Sequence, residues 1–315
     1  MKTLVTILLF SAAAPAAAAM PEARAARLLP VAEAPAPSPA GPGFCLFDAS
    51  AGSPLGEEGF KAVIAGADVV YAGETHDRLP DHLAQLEALK ALQAVRGAKV
   101  AVGFEMLNFT LQPVLDEYAS GAISEDEFLK RADWQKEWGF DFNLYKPLFD
   151  FIREKKLKAL ALNLPKRIVS KIARVGLDGL SAEEKALLPA ALQVTANERY
   201  IAYIRETFDG HGDNPMSGMF KFENYLAAMS AWNETMGARL AAFLNANPGY
   251  AGLAVAGSGH VIFNAGIPAS VASRTSGLRH ASFYPLPAAA CPSSLPPADA
   301  GLADYVWYKD YGPGR

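Results

Sequence analysis

Four short apolar runs punctuate the folded part of the chain: Asp68–Ala72, Lys99–Phe104, Leu157–Leu162 and Gly252–Ala256. Each is too short for an ordinary helix and rich in Val, Leu and Ala, so each predicts a strand buried on both faces. Helical periodicity fills the stretches between them. Leu83, Leu86, Leu89 and Leu92 recur within Leu83–Ala94, and Tyr225, Met229, Trp232, Met236 and Leu240 form a stripe within Phe222–Phe243. Strand, helix and strand in alternation predict an α/β fold, a mainly parallel β-sheet flanked by helices. Two connections, about 106–156 and 166–250, are too long for one helix each. They predict a helical cap or subdomain, with start signals at Ser124 to Glu127 and Ser181 to Glu184. The aromatics Trp134, Trp138, Phe140, Phe142 and Tyr145 are expected to pack in its core.

The N-terminus reads differently. Lys2, the apolar run Leu4–Phe10 and the small-residue tract ending at Ala19 have the parts of a secretory signal, which predicts a signal peptide at 1–19 and an exported, periplasmic protein. Residues 20–43 are an Ala/Pro-rich leader without periodicity, expected to be disordered, and the folded domain is expected over 44–315. After the signal, no apolar run approaches the roughly 18 residues of a membrane span, so no transmembrane segment is expected.

Composition narrows the classes of function. With 29 Lys and Arg against 33 Asp and Glu, a net charge of -4 and no basic run longer than Lys155-Lys156, no nucleic-acid partner is expected. Two cysteines exclude a disulfide-dense scaffold and a four-thiolate zinc site. Cys45 and Cys291 could form one disulfide or remain two thiols.

The residues that follow the strands carry the chemistry. After the first run comes Gly73-Glu74-Thr75-His76; the second ends in Glu105, the third in Asn163, and the fourth in Gly257-Ser258-Gly259-His260. Open parallel sheets bind ligands outside the carboxyl ends of their strands, so these groups are expected to converge on one cleft. His76 and His260 with Glu74 or Glu105 would suit a divalent metal, and His82 is the next candidate ligand. Glycine three residues before each histidine is expected to let the backbone turn tightly. Each histidine could equally be a hydrogen-bonded structural residue. A nucleophile elbow, a dinucleotide fingerprint and a P-loop are all missing, and neither cysteine sits in an activating motif.

Taken together, Gly73-Glu74-Thr75-His76-Asp77 with His82 and Gln85, Gly103-Phe104-Glu105-Met106 with Gln112, and Gly257-Ser258-Gly259-His260 with Gly266-Ile267-Pro268 resemble the ChaN-like haem-binding uptake family of the Tiki superfamily. The likeness runs from about Phe47 to Pro287 and includes Trp138-Gly139-Phe140-Asp141 and Tyr145-Lys146-Pro147. It implies an exported protein that binds haem and holds or relays it in iron uptake, with a homodimer around haem and a haem-uptake machinery as partners. Ferric haem needs an axial donor, apolar walls and cations for its propionates. Tyr145, Tyr203 and Tyr225 could supply a phenolate, Met229 with Met216, Met219, Phe220 and Phe222 a wall, and Arg167, Arg199 or Arg205 the cations. The wider superfamily implies an alternative, a metal-dependent hydrolase, possibly a protease. There His76 and His260 would hold a divalent metal ion, with Glu105 as a further ligand or as the catalytic base that activates a metal-bound water. Where relatives tend to read A-Q-x-x-W-D-x-T-M, this chain carries Met229 and Asn233, which removes an amide and an acid.

Overall fold

The computed structural model describes residues 45–210 and 221–310; the expected signal and leader, and Met216, Met219 and Phe220, lie outside the described residues. The chain enters through β1 (Cys45–Asp48), β2 (Ser53–Leu55) and α1 (Glu57–Gly66). It continues through β3 (Val69–Glu74), α2 (Leu79–Arg96) and β4 (Val100–Asn108). Four helices follow, α3 (Gln112–Ser120), α4 (Glu125–Arg131), α5 (Trp134–Glu137) and α6 (Phe142–Lys155), before β5 (Lys158–Asn163). Four more, α7 (Lys166–Val175), α8 (Ala182–Lys185), α9 (Glu198–Gly210) and α10 (Phe222–Ala246), lead to β6 (Ala251–Gly257). The described chain closes with α11 (Ile267–Ala272), β7 (His280–Pro287) and β8 (Tyr305–Lys309).

All eight strands share one sheet in the order β2-β1-β8-β7-β3-β6-β4-β5. The segment from β8 to β5 is parallel throughout, and β1 adds to it antiparallel. The four apolar runs of the sequence are the contiguous strands β3, β6, β4 and β5, so their carboxyl ends lie side by side. Alternate side chains serve opposite layers. Val70, Ala72, Val102, Phe104 and Val255 pack under α1, α2 and α6, whereas Val69, Tyr71, Ala101 and Ala254 pack against α10 and α11.

The helices explain their own sequence. Ser181 and Glu184 form a reciprocal capping box at α8, whereas Ser124 caps α4 through Glu127 N–H alone. In α2 the expected leucine row drifts: Leu89 and Leu92 are buried, but Leu83 is 45% exposed. Steps of three fall behind the 3.6-residue turn, and the buried face passes instead through Asp81, His82 and Gln85. Strands β1, β2 and β7 have a weak sequence signal, being very short or broken by Pro285 and Pro287, and β8 (Tyr305–Lys309) is not among the expected strands. Cys45 and Cys291 form a disulfide across 246 residues, which fastens β1 to the segment after β7.

Candidate functional site

The carboxyl ends of β3, β4 and β6 carry two buried glutamate–histidine pairs. Glu74 ends β3, and its carboxylate accepts hydrogen bonds from Tyr145 Oη at 2.7 Å and Gln85 Nε2 at 2.7 Å, with His76 Nδ1 at 2.9 Å. Burial alone would raise its pKa, but His82, His76 and Gln85 outweigh that and hold it at about 2. His76 is 7% exposed, wedged between Trp138 and Phe140. Burial opposes its charge, yet the bond to Glu74 and the fields of Glu74 and Glu105 raise its pKa. His82 points one ring nitrogen at the His76 carbonyl and the other at Gln85 Oε1.

The second pair is built on the turn after β6. Glu105 accepts the Gly257 N–H at 2.6 Å and lies 3.2 Å from His260 Nε2. Burial pushes this carboxyl up, but His260, His76 and the Gly257 N–H bring it below its ordinary value. His260 Nδ1 lies 2.7 Å from Asn233 Oδ1, Asn233 Nδ2 donates to Tyr200 Oη, and Tyr200 donates to the Gly259 carbonyl. That chain fixes the amide orientation, so His260 Nδ1 is the donor.

The expected convergence is present, with Asn163 joining by donating to the Glu105 carbonyl. The proposed ligands Glu74, His76, His82, Glu105 and His260 are arranged as hydrogen-bonded pairs rather than as a coordination sphere. Among the described residues no group of three or more His, Cys, Asp or Glu side chains is placed to hold a metal ion. The carboxylates face N–H and O–H donors of the protein, and Glu105, the alternative catalytic base, has its oxygens on Gly257 and His260. The glycines serve space rather than a turn. A Cβ on Gly257 would come within 2.7 Å of His76 Cε1, and one on Gly73 within 3.0 Å of Ser258 Oγ.

A second polar region lies on the far side of the Ser258–His260 turn, between α9, α10 and the segment around Phe263. Tyr200, Ile204, Phe222, Leu226, Met229 and Ile262 form its buried floor, with Tyr203, Tyr225, Phe208 and Tyr284 partly exposed above. Burial raises the pKa of Tyr203, and burial together with Tyr203 raises that of Tyr225 to about 12. Arg199 stacks on Phe263 at 4.3 Å and Arg205 on Phe222 at 3.7 Å. Phe263 and Asn264 hold left-handed backbone, φ 59° and 56°, a conformation that costs a non-glycine residue energy and that aims the Phe263 ring at Tyr203 and Arg199. Of the proposed haem residues this region gathers Tyr203, Tyr225, Met229, Arg199 and Arg205. Tyr145 is elsewhere, fully buried on Glu74, and burial and that carboxylate push its phenol far up. Arg167 is exposed on α7 near Glu184.

Comparison with known proteins gives the family and the fold. The family described as haem-binding uptake, Tiki superfamily, ChaN, matches residues 61–271. The chain belongs to this family. Among solved structures, ChaN of Campylobacter jejuni, described with cofacial haem binding, is similar with a TM-score of 0.65 at 19% identity over 87% of this chain and 100% of that one. The type III effector HopBA1 is similar at a TM-score of 0.46 and 11% identity over 80% and 92% of the two chains. A mutant of the erythromycin esterase EreC in its open conformation gives 0.44 and 14% over 81% and 80%. No curated protein sequence matches the chain.

Within the ChaN family assignment, the donors on the tyrosine face suit ferric haem: oxygen donors, an apolar floor and two guanidinium groups. Tyr203 and Tyr225 would hold the iron, Met229 would lie beneath, and Arg199 and Arg205 would meet the propionates. Sequence reasoning missed Tyr200, Phe263 and Tyr284. The left-handed backbone of Phe263, just past His260, is a feature no sequence pattern betrays. Gln112, part of the family resemblance, is not at either region: it seals the outer edge of β5, accepting the Ala161 N–H and donating to the Ala159 carbonyl.

Proposed function

We propose that the protein is an exported haem carrier that holds haem on the tyrosine face and passes it on during iron uptake. The observation that carries this reading is one patch, in a chain of a haem-binding family, where two partly buried phenols, an apolar floor and two guanidinium groups coincide. Bound haem supplies a ferric centre that accepts a phenolate oxygen. The protein's part is to offer that oxygen, exclude water with Met229 and Phe208, and neutralise the propionates. Because a relative is described as binding haem cofacially, the same reading extends to two copies of the chain meeting over paired macrocycles. Periplasmic location, supported by the Lys2 to Ala19 pattern, would place the carrier where imported haem must cross.

The hydrolase reading gains nothing from the buried pairs, since their donors and acceptors are spent on one another. The test is a hemin titration of the chain from Met20 that follows the Soret band and molar mass together. A saturable shift that Tyr203→Phe or Tyr225→Phe weakens, and His76→Ala does not, supports the proposal. Folded protein that fails to bind hemin overturns it.

A further inference from the structure

Away from both regions, a groove of about 570 Å³ opens between β5, α10 and the segment after α8. Its walls are apolar, formed by Leu160, Leu162, Leu187, Leu188 and Phe243. Two polar groups stand out in that lining. Arg239 is half-buried beside Phe109, donates Nε to the Ala161 carbonyl, and has no carboxylate partner among the described residues. Thr235 is 2% exposed, lines the same groove, and its Oγ1 is buried without a hydrogen-bond partner. Lys158, at the groove's other side, is already paired with Asp116.

A buried hydroxyl without a partner and a half-buried guanidinium without a counter-charge, in one apolar groove, call for an acceptor that carries negative charge and an apolar body. We propose that this groove binds a medium-chain monocarboxylate, its carboxylate held by Arg239 and Thr235 and its chain along Leu160, Leu162, Leu187 and Phe243. A peptide adding to the β5 edge is disfavoured, because Gln112 and Arg239 already occupy the Ala159 carbonyl and both backbone groups of Ala161. An inorganic anion would leave the apolar walls unused. The proposal is independent of haem, since neither Tyr203 nor Tyr225 lines the groove.

The test is calorimetric titration of the chain with octanoate and with octanamide. One saturable octanoate site is expected, with octanamide weaker and Arg239→Gln weaker by roughly tenfold to a hundredfold, the range for a hydrogen bond to a charged group. Thr235→Val should weaken binding by a smaller factor. Arg239→Gln also loses a bond to Ala161 and could unfold the edge; Ala238→Phe fills the groove and leaves that bond in place, and should abolish octanoate binding with the melting temperature retained. Octanoate binding that persists in Ala238→Phe, that octanamide matches, or that hemin saturation removes would overturn the proposal, as would no saturable binding at all.

Discussion

Two polar regions lie on either side of the Ser258–His260 turn, and they are finished differently. On the inner side every carboxylate and imidazole that the strands present is answered by a neighbour: Glu74 by His76, Gln85 and Tyr145, and Glu105 by His260 and Gly257. On the outer side Tyr203 and Tyr225 stay partly open, and Arg199 and Arg205 lie over rings rather than carboxylates. A buried, saturated network holds a shape, whereas a partly exposed patch of phenols, guanidinium groups and apolar rings can take a ligand. On the proposed reading, the residues most conspicuous in the sequence act as a frame, and the haem face is built on that frame.

The contrast breaks most sharply if a carboxylate is removed from the inner side. Glu105→Ala leaves His260 and the Gly257 N–H buried without their acceptor and should cost about 3–5 kcal/mol in chemical denaturation. Haem affinity of the fraction that stays folded should change little; equal losses of stability and affinity would erase the division of labour.

Acid probes the same network. The Glu74 carboxyl is held at about 2 against an ordinary 4.5, so its contribution is present above about pH 4.5 and is lost as pH falls toward 2. That contribution is on the order of 3 kcal/mol. His76 has the opposite sign: its pKa is raised, so its contribution is full below about 6.5 and fades as pH rises through the raised value. Denaturation midpoints across pH should therefore peak between those limits, and Glu74→Gln should flatten the acid limb.

On the outer side Tyr225→Phe should weaken hemin by about tenfold or more while moving stability by less than about 1 kcal/mol. Its phenol is protonated at neutral pH, with a pKa of about 12, so taking iron must release a proton. Hemin affinity should then climb with pH, by up to about tenfold per unit for each phenol that ligates, and Tyr225→Phe should lower that slope. The smallest effect is expected from Arg205→Gln, which removes a guanidinium from the Phe222 ring and should weaken hemin several-fold, less so at high salt.

The part of this architecture that could be read from the chain was the part governed by burial on both faces. Asp68–Ala72, Lys99–Phe104, Leu157–Leu162 and Gly252–Ala256 are continuous apolar runs because helices cover both sides of those strands, and the polar residue after each had to emerge at one edge. Pairing within that edge was not readable. Whether His260 meets a metal or Glu105 depends on where α10 places Asn233, a contact across 27 residues that no local pattern encodes. The Asn233 departure from the family pattern proved to sit on His260 itself, where an amide supplies an acceptor without a second negative charge beside Glu105. The tyrosine face was only partly readable, since its tyrosines are spread over α9, α10 and β7 and look like packing residues in each.

The two margins of the sheet also constrain how copies of the chain can meet. At one margin Gln112 and Arg239 occupy backbone groups of β5, and at the other β2 is only three residues long with Pro54 at its centre. Among the described residues neither margin offers a long free ladder to a second sheet, which disfavours two subunits joining their strands into one continuous sheet. That leaves the helical and loop surfaces as the favoured places for two copies to meet. A dimer joined in that way could come apart without breaking any backbone ladder, which fits the proposed role of a carrier that must surrender what it holds.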